Sequence, residues 1–143
     1  MHFQSDEEIH AIGTGLLDRT LPKLAWTHAA HLAAAAWLLA DRPDIDAQAE
    51  LPGIIRAYNE ATGTANTDSG GYHHTITLAS LRAVADFLGR QPAGTPLHVA
   101  CEQLLLSPYG NKSWLTQYWT AEVLFSKDAR LGWIEPDRAS LPF

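Results

Sequence analysis

The stretch THAAHLAAAAWLLAD, residues 27 to 41, decides the fold class. Alanine and leucine dominate it, and both are strong helix formers. Thr27 suits the N-cap, where its hydroxyl accepts an amide of the first turn. Pro43 marks the end, because the residue before a proline is pushed out of the helical region. Steps of three and four along this helix place His28 and His31 beside Leu32, Ala35, Leu38 and Leu39. The spacing therefore predicts a helix with two imidazoles on its core-facing stripe.

Working outward, Ser5 and Glu8 have the spacing of a capping box, which predicts a first helix to about Leu17, with Leu21-Pro22 as its exit. Downstream, Asp46 is placed to cap a third helix carrying Ile54, Ile55 and Tyr58 and ending near Gly63. Pro52 inside it predicts a kink or a later start. The polar run TGTANTDSGG, residues 62 to 71, reads as a loop, with Asp68 or Ser69 capping a fourth helix from about Tyr72 to Leu88. Pro96 at a first helical position opens a fifth helix reaching about Leu106. Shorter helices are expected near residues 114–125 and 126–131, followed by an irregular, proline-bearing tail. No segment alternates with period two. The expectation is an all-α protein: one helical domain over residues 1–143, a bundle of about five main helices plus short C-terminal ones.

At 143 residues, 46% of them apolar, the chain has the means to bury a substantial core. Ten basic against sixteen acidic side chains give a net charge of -6, without the basic stripe that a phosphate backbone requires. No nucleic-acid partner is expected. The longest apolar run, residues 29 to 40, is broken by His31 and too short to span a bilayer, so no membrane partner is expected either. One cysteine, Cys101, excludes an internal disulfide and suits a reducing compartment; a cytoplasmic location is expected. Oligomeric state is not legible in these letters.

On the fourth helix, His73 aligns with Ile76, Thr77, Ser80, Val84 and Phe87, while His74 falls nearer the edge. Imidazoles aimed inward need partners, because an unpaired polar group in a core is costly. Two histidines one turn apart with a third from a facing helix can hold a divalent transition metal and leave positions open. His28, His31 and His73 are the candidate ligands, and zinc, nickel, iron or copper would each accept imidazole nitrogen. His74, Tyr72, Thr75 and Asp68 are candidate further ligands or pocket groups, with Glu60 and Glu102 as other carboxylates. An enzyme of this kind would suit metal-assisted hydrolysis or oxygen chemistry on a small molecule. Two alternatives stand beside it: a non-catalytic module binding a polar small molecule, and a structural or interaction protein whose histidines are internal hydrogen-bond partners.

Other features carry blander expectations. His98 and Cys101 share a helix face as a nucleophile and base would, but a lone cysteine among leucines reads first as a small core residue. The five tryptophans read as core anchors, with Trp26 also placed to wall a pocket. Arg130 and Asp137 are spaced to form an ion pair that pins the tail.

The segments LPKLAWTHAAHLAAAAWLL, GYHHTITLASL and LFSKDARLGWIEPDRASLP together resemble a widespread group of small bacterial proteins without an assigned activity. The shared pattern is Leu-Pro and an aromatic before Thr-His-x-x-His-Leu, then Tyr-His-x-Thr-Ile-Thr, then Pro-Asp-x-x-x-Leu-Pro, covering about Leu21 to Pro142. The resemblance implies special roles for the matching positions: His28, His31, Tyr72, His73, Thr75, Thr77, Ala129, Arg130, Pro136 and Asp137. Many members of that group carry Glu where this chain has His74. A looser likeness, to the DinB-like bundles that hold a metal through three histidines, is one of fold alone.

Overall fold

The computed structural model describes residues 2–143 and contains helices and turns, with no strand among the described residues. Five long helices make the body: α1 (Asp6–Asp18), α2 (His28–Asp41), α3 (Ala47–Ala61), α4 (His74–Gly89) and α5 (Leu97–Leu106). Two short ones follow, α6 (Ala121–Leu124) and α7 (Lys127–Leu131). No described helix is long and apolar enough to cross a membrane.

Helix α2 is the axis of the bundle, packed against α1, α3, α4 and α5. This explains why it is apolar nearly all round, as a helix surrounded by others must be. Its alanines 30, 33, 34, 35 and 36 are buried, and their small side chains let the neighbouring helices come close. On α1, Gly13 lies against the Trp37 indole, where even a methyl group would overlap the ring. Thr27 caps α2 by accepting the Ala30 amide, and Ser5 and Asp46 cap α1 and α3 in the same way. Pro52 does not delay α3, which runs through it from Ala47.

Two apolar cores result. The larger fills the space between α1, α2, α3, α4 and α5, with Ile9, Leu16, Trp37, Leu38, Tyr58, Val84 and Leu104 almost fully enclosed. The smaller gathers Trp114, Leu115, Trp119 and Leu124 against Ala79 and Ala83 of α4. Helix α4 thus supplies side chains to both. Its Leu81 and Val84 enter the first core while Ala79 and Ala83 floor the second.

The segment expected as a helix over 114–125 is instead a 3₁₀ turn over Lys112–Gln117 followed by the single-turn α6. The fourth helix starts at His74, and its N-cap is neither Asp68 nor Ser69 but His73, whose Nδ1 accepts the Ile76 amide at 3.1 Å. The preceding loop folds back on itself, with the Thr67 amide donating to the Gly70 carbonyl, and Asp68 and Ser69 lie in that turn instead of at the helix end. Asn66 does the folding: its carbonyl oxygen accepts from the Tyr72 amide and the Asn59 side chain, and its NH₂ donates to the Arg56 carbonyl. Gly71, at φ +76, makes the turn beside Ala65 and Asn66, where a side chain would not fit.

Arg130 and Asp137 do not pair. The Arg130 guanidinium donates to the carbonyls of Gly71 and Tyr72, and the Asp137 carboxylate accepts from the amide and hydroxyl of Thr120. Each pins the C-terminal segment, but to a different place.

Candidate functional site

A cavity of about 670 Å³ opens at the seam between the two cores. Leu32, Ala35, Leu51, Ile55 and Leu81 wall it from the larger core, and Leu115 and Leu124 from the smaller. It lies within the size range of small-molecule sites, and its walls are mostly apolar with a few polar groups, as such sites are. The polar groups are His28 and His31 from α2, Thr77 and Ser80 from α4, and Lys112, Ser113 and Thr116 from the 3₁₀ turn. His31, Lys112, Ser113 and Phe125 are the exposed members, which places the opening between the start of α2, the 3₁₀ turn and the end of α6.

Both α2 histidines are oriented by the backbone. His28 Nε2 lies 3.1 Å from the Tyr109 carbonyl oxygen, and His31 Nδ1 lies 2.7 Å from that of Thr27. A carbonyl only accepts, so each of these nitrogens carries the hydrogen. His28 Nδ1 and His31 Nε2 keep a lone pair with no hydrogen-bond partner among the described residues. Trp26 stacks on the His31 ring at 3.7 Å between centroids and 27° between planes, fixing its attitude.

His31 stands at the mouth of the cavity, exposed on one side and packed against protein on the other. Desolvation pulls its pKa down to about 4, against the Thr27 carbonyl, which favours the charged form; positive charge on His28 and Lys112 pulls the same way as desolvation. Every titratable side chain lining the cavity is basic: His28, His31 and Lys112. Lys112 pairs with no carboxylate among the described residues.

The other sequence candidates lie elsewhere. His73 does not join the α2 pair: its Nδ1 accepts the Ile76 amide and its Nε2 donates to the Leu124 carbonyl at 2.7 Å, so both nitrogens are spent. Burial lowers its pKa. Among the described residues, no group of three or more His, Cys, Asp or Glu side chains is placed to hold a metal. Tyr72 and His74 hydrogen-bond each other at 2.9 Å, with Arg56 over the Tyr72 ring at 4.4 Å, outside the cavity lining. Thr75 is fully buried, donating to Gly132 O and accepting from the Ile134 amide. Asp68 faces Lys127 on the surface, and Glu102 accepts from the amides of His2 and Phe3. Glu60 is exposed on α3 and does not line the cavity.

No family model, curated protein or solved structure matches the chain.

His98 turns from Cys101 to the Asp6 carboxylate at 2.6 Å. Burial, with Asp6 and Glu102 nearby, pushes the Cys101 thiol up to about 12, the opposite of a nucleophile's requirement. Of the tryptophans, Trp37, Trp114 and Trp119 are buried anchors and Trp26 is a cavity wall. Ser80, Lys112, Ser113 and Thr116 are site residues that the sequence does not single out: Ser80 shows only as part of a helix face, and the other three lie in a turn without helical periodicity.

Proposed function

We propose that this protein is a small-molecule-binding helical bundle whose site is the cavity between its two cores. The observation that carries this reading is the pair of α2 histidines, each held by a backbone carbonyl through one nitrogen and left unpartnered at the other. Together with Thr77 and Ser80 they put directional polar groups into an apolar chamber. That combination orients a ligand while burying its body.

The test uses the full chain and a panel of small amphiphilic molecules. Binding at this site predicts ligand-induced thermal stabilisation that persists in chelator. Ser80→Phe, which fills the chamber, should abolish that stabilisation while leaving the helical circular dichroism intact. Stabilisation unchanged in Ser80→Phe would overturn the reading.

A metal on His28 and His31 is the rival reading. A ring N–H held by a carbonyl is the arrangement that orients histidine ligands, and this favours it. The remaining ligands would have to be water or the bound molecule, since His73 is spent. Stoichiometric zinc, nickel, iron or copper in tag-free protein, lost in His31→Ala, would decide for the metal.

A further inference from the structure

We infer that the ligand of this cavity is a small carboxylic acid with an apolar body, its acid group lodged among His28, His31 and Lys112. This rests on the proposed cavity site and names the chemistry that site selects.

The charge pattern is the first argument. The protein carries a net charge of -6, yet no aspartate or glutamate lines the chamber. From α2 come His28 and His31, from the 3₁₀ turn comes Lys112, and α3, α4 and α6 contribute no titratable group to the lining. A cationic ligand would meet only positive or potentially positive groups. Lys112, paired with no carboxylate among the described residues, is available to an incoming anion.

Hydrogen-bond direction is the second. The free nitrogens of the two rings are acceptors, because the opposite nitrogens donate to Tyr109 O and Thr27 O. The lysine offers only donors. A carboxylate answers both: one oxygen accepts from the ammonium, and the other is bonded by a ring nitrogen that takes up a proton from solvent as the anion binds. An alcohol satisfies the ring but leaves the lysine charge unmatched. A permanently charged phosphate needs several converging donors, and the lining contains no arginine.

The remaining lining is the third. Leu32, Leu51, Ile55, Leu115 and Leu124 give the acid's body a long apolar berth. Burial there supplies affinity at roughly 25 cal/mol per Å², and the polar end sets orientation.

Octanoic acid, octanol and octylamine share a body and differ in the head, so they separate the two claims. Titration calorimetry at neutral pH on the full chain should show octanoate binding at least about tenfold tighter than octanol, the size of one charge-assisted hydrogen bond, with octylamine weakest. Lys112→Met should bring octanoate down to the level of octanol. Equal affinity for octanoate and octanol, or an octanoate preference that survives in Lys112→Met, would overturn the headgroup assignment while the cavity reading stands. Failure of all three probes to bind would overturn both.

Discussion

Two histidines with opposite fates show how much a single side chain's partners decide. His73 is bonded at both nitrogens, capping α4 and tying it to α6. His73→Ala should destabilise the protein by about 2 kcal/mol, the upper end for a lost cap, since the Leu124 carbonyl also loses its donor. Urea denaturation monitored at 222 nm measures this. His31 adds a pH signature, in the same sense as the lowered pKa values of His73 and His74. Its pKa falls from 6.5 to about 4 on folding, so between those values the unfolded chain binds a proton that the folded chain refuses. Stability is therefore at its full value above about pH 6.5 and declines as pH drops toward 4. The lowered carboxylates Asp6 and Asp137 add losses only below their ordinary value of 3.8. Urea midpoints at neutral pH and near pH 5 should fall in that order, and His31→Gln should flatten the slope; a midpoint that rises on acidification would contradict the assignment. The sequence placed His28 and His31 on the right helix and beside the right residues. It did not distinguish a stripe that enters a sealed core from one that borders a chamber, because periodicity reports direction and not distance.

Among the elements, the caps were the most legible. Ser5, Thr27 and Asp46 each have a short side-chain oxygen at the expected place, and each makes the expected bond. The start of α4 was not legible, because a histidine cap has no propensity signal and Asp68 and Ser69 offered better-looking ones. What displaced them is the Asn66 turn, which depends on contacts to Arg56, Asn59 and Tyr72. Asn66→Ala should cost about 1–3 kcal/mol by leaving those groups without partners, and should quicken proteolysis of the 62–71 loop. Packing of α1 on α2 turns on Gly13. Gly13→Ala forces a methyl into the Trp37 indole. Despite alanine's better helix propensity, it should lower the melting temperature and alter the near-UV tryptophan signal, at about 1–3 kcal/mol for an overpacked contact.

At the level of the whole molecule, the all-α class was plain in the letters, whereas the division into two cores was not. The residues from Lys112 onward carry short turns with no helical period of their own. Their place is set by long-range bonds such as Thr75 to Gly132 and Ile134, and Trp119 Nε1 to Ile134 O at 2.9 Å. Thr75→Val keeps the shape and removes both of its links; it should release the tail, seen as a shifted Trp133 emission, before the helical signal is lost. The cavity was hidden for the same reason, being the space two cores leave between them. Helix α4 has one flank in each core, so neither half can come apart alone and leave that helix free on both sides. Its amides should be the last in the molecule to surrender their hydrogens to heavy water.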